Sequence, residues 1–390
     1  MRIGVNCFLL QENMGGVRQY FHRLFGELLL HDKKDRYILF YFKHNTKELE
    51  QIGSDRWKEE AILLEDQREV VNHLDKIDLY FCPFGSLWPR PVPIPSVVTL
   101  VDIQEKYYPQ FFTKQDLWNR EYHYDGSTKA ADQVITISEF SKSSIAYHHR
   151  ISKDKIHVVY LAADDYFDEP FEKDEIKLGL PERYIFYPAN RWLHKNHDNL
   201  LRALAIIKRE NHLAIDCVLT GFDYDNGYPL YKKIAEYGLD GQIKILGYVN
   251  KHELKYIYKK AQMLCFPSLF EGFGLPLLEA MAVGSPVVCS DQTSIPEVVG
   301  NAALFFNPFN PNDIADKIYK VWTNKELQQR LRENGKAQAQ NFSVAQLFKR
   351  HLEVFELAFQ SYRKRRYIYY KYIYEPIHTF RMYWKKKALN

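Results

Sequence analysis

Short apolar runs alternate with helix-period segments along most of the chain, and no other feature constrains the fold as strongly. The first runs are RIGVNC, RYILFYF, DLYFC, SVVTLV, QVITIS and HVVY, with helical stretches in GGVRQYFHRLFGELLL and near DLWNREYHYDGSTKAA. Such a βα series favours a doubly wound parallel sheet, because neighbouring parallel strands need a helix-length crossover between them. The series pauses at residues 160–183, LAADDYFDEPFEKDEIKLGLPERY, which are acidic and broken by Pro and Gly, and which read as a linker. It then restarts with YIFYPA, NHDNLLRALAIIKRE, AIDCVLTG, YPLYKKIAEYG, QIKILG, KHELKYIYKKA, QMLCFP, PVVCS and ALFFNP. A second α/β domain of the same class follows the first, as a length of 390 residues allows.

Four segments are expected: domains at 1–165 and 166–342, a helix at 343–360, and a basic aromatic tail at 361–390. In the helix, Leu347, Leu352, Phe355 and Phe359 have the spacing of one apolar face. The tail holds nine Lys and Arg against one Glu, a charge of +8, so the first 360 residues carry −4 within a whole of +4. The N-terminus, MRIGVNCFLL, has neither a secretory cleavage pattern nor an apolar span long enough to cross a bilayer, which predicts a cytoplasmic protein. Cysteines 7, 82, 217, 265 and 289 form no CxxC pair and lie mostly in apolar runs, as small core residues do.

The segment 271–279, EGFGLPLLE, carries the chemistry. QMLCFPS before it has the pattern of a buried strand, and Gly274, Leu275 and Pro276 mark the start of a helix. Glu271 then lies in the loop at a strand's carboxyl end, where doubly wound sheets bind ligands, and Glu279 about one turn into the helix. Between the two acids, Gly272 and Gly274 let backbone amides approach a ligand, and the helix N-terminus favours negative charge. A hydroxyl-rich group at one acid, phosphates at the amides and a hydroxyl pair at the other acid describe a sugar nucleotide. PANRWLHKN, after the first strand of the second domain, adds Arg191 and Lys195 in a loop just before a helix. Fixed cations aimed at a departing diphosphate stabilise the transition state preferentially, and no metal is then required.

With these motifs, residues 1–360 resemble the retaining glycosyltransferases of family 4, part of the group 1 glycosyltransferases. Glu271 and Glu279 match the family's E-x7-E element, Arg191 and Lys195 its basic pair, and Gly15-Gly16 the glycine turn after the first strand. The resemblance implies the GT-B architecture, two Rossmann-like doubly wound domains facing across a cleft, 1–165 on the acceptor side and 166–342 binding the donor nucleotide, with the helix 343–360 crossing back to the N-terminal domain. It also implies that Glu271 binds donor-sugar hydroxyls, Glu279 the ribose, and the amides of Phe273, Gly274 and Leu275 the sugar and diphosphate. The expected catalytic set is Glu271, Arg191, Lys195 and Asp102, with Gly15, Gly16 and Gly272 added to the donor contacts. Many relatives read His-Asp where this chain has Val101-Asp102, so the His often placed beside the reacting sugar is missing and Asp102 is left to take part of that role.

The activity implied is transfer of a hexosyl unit from a GDP- or UDP-sugar to a hydroxyl of a glycan acceptor, with retention of configuration, in cell-surface polysaccharide or lipopolysaccharide assembly. A nucleotide-sugar epimerase and a non-catalytic nucleotide-sugar-binding subunit are the alternatives, the second encouraged by Val101. No metal or other cofactor is expected: Asp223-Tyr224-Asp225 sits among turn formers in GFDYDNGYP, and the 14 histidines show no HxxxH or HExxH spacing. Glu139 behind Ser138 reads as a first-turn acid at a capped helix. In the tail, nine basic residues mixed with nine aromatics suit the headgroup region of an anionic membrane at the inner face, with a lipid-linked acceptor as partner and no nucleic acid. The competing expectation is a basic helix packed on the N-terminal domain.

Overall fold

The structure, a computed structural model, describes residues 1–12, 15–167, 169, 176–222 and 228–387. Two compact units divide the chain: residues 1–161 with 344–390, and residues 162–343.

The N-terminal unit is built on seven strands: β1 (Arg2–Asn6), β2 (Arg36–Tyr41), β3 (Ile62–Leu63), β4 (Leu79–Cys82), β5 (Ser96–Thr99), β6 (Gln133–Thr136) and β7 (Ile156–Val158). They form one parallel sheet in the order β3-β2-β1-β4-β5-β6-β7. In register, Val5 lies opposite Leu39 on one side and Phe81 on the other. Strands β4, β5 and β6 are buried along their whole length, as expected for a parallel sheet with helices on both faces. The chain winds outward from β1 to β3, then returns to β4 and winds the other way, so the topology switches between β1 and β4.

The second unit repeats this plan with β8 (Tyr184–Pro188), β9 (Asp216–Thr220), β10 (Ile243–Ile245), β11 (Met263–Phe266), β12 (Val287–Ser290) and β13 (Ala303–Phe306). Their order, again all parallel, is β10-β9-β8-β11-β12-β13, with the switch between β8 and β11, where Leu264 pairs with Phe186. All five cysteines are free and buried, Cys7 and Cys82 in the first unit and the other three on strands of the second.

Helix Val344–Ser361 packs on the N-terminal sheet through Leu347, His351, Val354, Phe355 and Ala358. The predicted face needs a correction: Phe359 is 47% exposed and Leu352 only half-buried. An apolar criterion skips His351, and including it rotates the buried stripe away from Phe359. His351 Nδ1 faces the Leu347 carbonyl at 2.7 Å, an acceptor only, so Nδ1 carries the proton and Nε2 accepts from the Tyr20 hydroxyl, also at 2.7 Å. Tyr20 in turn meets Thr99 Oγ1 at 3.0 Å. Burial holds His351 neutral, pushing its pKa down to about 4.

The tail forms helices Lys364–Tyr369 and Glu375–Lys387 joined by one wide π-helical turn, Tyr370–Tyr374. Its inner side is fastened to the N-terminal unit. Arg366 donates to the carbonyls of Lys129 and Ala131 at 3.1 and 2.8 Å, Trp118 Nε1 donates to the Met382 carbonyl at 2.7 Å, and His378 and Met382 are buried. Its outer side exposes Ile368, Tyr369, Tyr372, Ile373, Ile377, Phe380, Tyr383 and Trp384. Among the described residues, no helix is long and apolar enough to cross a membrane.

Candidate active site

In the second unit the two loops that matter leave adjacent strands at the switch point. One follows β8 and contains Arg191 and Lys195; the other follows β11 and contains Glu271. This is where a doubly wound sheet opens a crevice, because the flanking connections run to opposite faces. The loops are also tied to each other. Leu269 N–H donates to the His194 carbonyl at 2.8 Å, and Asn196 Nδ2 donates to the carbonyls of Pro267 and Pro308 at 3.0 and 2.8 Å. Asn196 is left-handed (φ 59°), a conformation Asn adopts more readily than most residues, and it starts helix His197–Glu210.

Lys195 and Glu271 meet across the crevice, with Nζ 2.6 Å from Oε1 and side chains 19% and 12% exposed. Each is held by its backbone. Tyr187, buried on β8, donates its hydroxyl to the Lys195 carbonyl at 2.8 Å. Glu271 N–H donates to Thr293 Oγ1 at 3.1 Å, and the Ser294 hydroxyl lies 2.9 Å from the Glu271 carbonyl. Thr293 has φ 57°, a conformation that costs a β-branched residue free energy and marks this turn as built around the acid. Thr293, Ser294, Asn196 and Tyr187 were not found by sequence reasoning; only their proximity to Glu271 and Lys195 in the folded sheet gives them away.

Gly274 precedes helix Leu275–Ala282 with φ 100°, and a Cβ there would lie 2.8 Å from Leu277 Cδ1. Only glycine fits, which leaves the first amides of the helix facing the loop. Gly272 and Phe273 are buried beside it, Phe273 edge-on to Phe342 at 5.6 Å. Glu279, within the same helix, is 4% exposed and accepts a 3.0 Å hydrogen bond from the Tyr258 hydroxyl. Arg191 lies with its guanidinium over the Tyr231 ring at 4.9 Å. Burial, reinforced by the Lys195 and Arg191 charges, pushes the pKa of His197 down to about 3, so it stays neutral behind the two cations.

The structure thus joins Lys195, Glu271 and the Gly272–Leu275 turn in one place. Gly15, Gly16 and Asp102 belong to the other unit. Gly15 adopts φ 53° and caps helix Gly16–His31, and Asp102 Oδ1 accepts from Gln104 N–H at 3.1 Å, closing a turn after β5. Ser138 caps helix Glu139–His149 by accepting from Ser141 N–H at 3.1 Å. Asp223, Tyr224 and Asp225 lie outside the described residues.

Residues 168–338 match the family model described as glycosyl transferases group 1. Over that stretch the chain is similar to that family. It is 32% identical over 253 residues to O-antigen chain mannosyltransferase B of Escherichia coli, covering 64% of this chain and 66% of that one. A second relative, O-antigen chain mannosyltransferase RfbU of Salmonella typhimurium, is 31% identical over 213 residues, 55% of this chain and 57% of its own. The chain therefore spans a little under two thirds of these relatives' length. Among solved structures, Anabaena HepE in complex with UDP and glucose superposes with a TM-score of 0.73 at 18% identity, over 91% of this chain and 99% of that one. The fold is GT-B.

Proposed function

We propose that this chain transfers a hexosyl unit from a GDP- or UDP-sugar to a hydroxyl of a glycan acceptor, with retention and without a metal. A mannosyl donor is the first to test, since two relatives are named as mannosyltransferases. The observation that carries this reading is the Lys195–Glu271 pair, 2.6 Å apart at the second sheet's switch point beside a glycine-opened helix N-terminus. In this role Glu271 accepts from hydroxyls of the donor sugar, and Lys195, with Arg191 swung from Tyr231, faces the diphosphate as its charge grows. Amides of Phe273 to Leu275 donate to the sugar and phosphates, and Glu279 receives the ribose. With no enzymic nucleophile assigned, the departing phosphate takes the acceptor hydroxyl's proton. The oxygen–anomeric carbon bond to phosphate breaks as the new glycosidic bond forms on the same face. The Gly15-Gly16 turn is assigned to the donor as well, and Asp102 takes part of the role of the His absent at Val101.

Incubation with GDP- and UDP-sugars, with product analysis, tests the assignment. Hydrolysis or transfer supports it, an epimerised nucleotide sugar favours the epimerase, and binding alone favours a non-catalytic subunit. Excess EDTA should leave the rate within about twofold, because lysine and arginine act as the phosphate's counter-charge.

Peripheral attachment to an anionic membrane at the inner face, with a lipid-linked acceptor, is part of the same proposal. It rests on the exposed stripe from Ile368 to Trp384, flanked by Lys364, Arg365, Lys371, Lys385, Lys386 and Lys387. Because the tail's inner side is packed, the informative variant alters only the outer stripe. The full chain should sediment with anionic vesicles, and the Ile373→Ser, Ile377→Ser, Phe380→Ser triple variant should not; equal sedimentation contradicts the anchor.

A further inference from the structure

Helix Leu275–Ala282 is apolar except at Glu279, and its Leu277, Leu278, Ala280 and Met281 are fully buried. Glu279 is nearly as buried as they are, in a place where packing alone would favour a leucine. A carboxylate is kept out of water only at a cost, and hydrogen bonds must offset it. One of these comes from the Tyr258 hydroxyl, which donates to Glu279 Oε2 at 3.0 Å.

Tyr258 is itself gripped from several sides. It lies on helix Lys251–Lys260, whose start is fixed by a capping box between Asn250 and Glu253. Its ring is fully buried, edge-on to Phe186 of β8 at 4.9 Å and to Phe167 at 6.1 Å. Phe167 belongs to the segment read from the sequence as a linker, and that segment is tied to the same helix. Lys251 pairs with Asp164 at 2.5 Å, and the buried Lys255 donates to the Tyr166 carbonyl with its Nζ 4.2 Å from the Tyr166 ring centre. Burial and the Glu279 charge push the Tyr258 pKa far up, so its hydroxyl keeps the proton that it donates.

A ribose offers two adjacent hydroxyls, and a carboxylate meets both only if its plane is held. A glutamate side chain has several rotatable bonds, so a neighbour must set that plane, and Tyr258 does so from a fixed ring. Each carboxylate oxygen has two lone pairs, so Oε2 can serve the tyrosine and a ligand together. A ligand without the 2′-hydroxyl then takes a partner from a buried acceptor, and a site built around a hydroxyl rejects such an analogue strongly.

We propose that Tyr258 is a positioning residue that sets Glu279 to recognise the ribose, and that the donor is therefore a ribonucleoside diphosphate sugar rather than its 2′-deoxy counterpart. The inference rests on the reading that gives Glu279 the ribose.

Calorimetric titration of the full chain with GDP, UDP and the 2′-deoxy form of each tests it, with turnover of GDP- and UDP-sugars measured on the same samples. Wild type should bind its preferred ribonucleotide about tenfold or more tightly than the deoxy form. Tyr258→Phe keeps the ring and should narrow that preference to about threefold or less, by weakening the ribonucleotide while the deoxy form binds nearly as before. Glu279→Gln should lower the preference at least as far, and adding Tyr258→Phe to it should change nothing more, because the tyrosine acts through the acid. Phe167→Leu, which loosens the ring but keeps the hydroxyl, should lower the preference by a smaller factor. A wild type without the preference overturns the inference. So does a Tyr258→Phe variant that keeps the preference, or one that weakens both forms equally, as lost packing alone would. If Tyr258→Phe does not fold, an unchanged preference in Phe167→Leu overturns it instead. A wild type that prefers the ribonucleotide but turns over no donor sinks the transferase reading and leaves the inference standing; one that binds neither nucleotide overturns both.

Discussion

The two sheets reverse direction in the same way, between β1 and β4 and between β8 and β11, yet the loops at the two reversals carry opposite chemistry. At the second sheet the loops are bonded to each other and joined by a Lys195–Glu271 pair at 2.6 Å. At the first they enclose a ring-lined cavity of about 380 Å³ in which Arg120 is stacked on Phe112 and paired with Glu105. Topology therefore sets where a ligand sits, and loop composition sets which ligand. A nucleotide diphosphate needs charge and amides.

The sharpest way to break this contrast is to remove the charge. Glu271→Ala and Lys195→Ala should each lower turnover by on the order of 100-fold or more, since each removes a contact to the reacting sugar or its leaving group. The N-terminal unit's unfolding should not change in either variant. Near-normal rates from both purified proteins would contradict the donor site.

Acid should separate the units next. In the first, burial pushes the pKa values of His149 and His351 down to about 4 and lowers those of His22, His123, His157 and His378; in the second, His197 falls to about 3. A histidine whose native pKa lies below its unfolded value of 6.5 stabilises fully above that pH and loses the contribution as pH falls toward the native pKa. Each fully buried case contributes on the order of 3 kcal/mol. Between pH 6.5 and 4 the N-terminal unit should lose hydrogen-exchange protection first; simultaneous loss would mean its histidines are less confined than the structure has them.

Two glycines give the smallest contrast. Gly274→Ala meets both a positive φ of 100° and a Leu277 contact at 2.8 Å, whereas Gly15→Ala meets a φ of 53° with nothing within 4 Å of the added carbon. Thermal melts should show a cost of about 1–2 kcal/mol for Gly15→Ala, from backbone strain alone, and a clearly larger one for Gly274→Ala. Equal costs would show that the turn before helix Leu275–Ala282 gives way more easily than its packing implies.

Much of this was legible in the sequence because it is local. Buried strands read as apolar runs, and Gly274 and Pro276 announce a helix start wherever the chain places them. The Lys195–Glu271 contact was not legible, since it depends on β8 lying beside β11, a pairing of residues 76 apart. The first-unit cavity was missed for the same reason: Asn6, Trp88 and Tyr122 come from three separate segments. In the tail, the mixture of basic and aromatic residues does not tell which side of the helix packs. The lone acid Glu375, which pairs with the buried Arg90 at 2.9 Å, was the available clue, because a single carboxylate in a +8 segment needs a reason.

The central claim is that the nucleotide sugar binds at the second sheet's reversal. Hydrogen–deuterium exchange of the full chain, with and without a GDP- or UDP-sugar that it binds, tests this directly. The account predicts slowed exchange in residues 189–197 and 267–280, the loops after β8 and β11. Protection confined to residues 84–90 and 118–124 around the first-unit cavity, with none in those two loops, would contradict it.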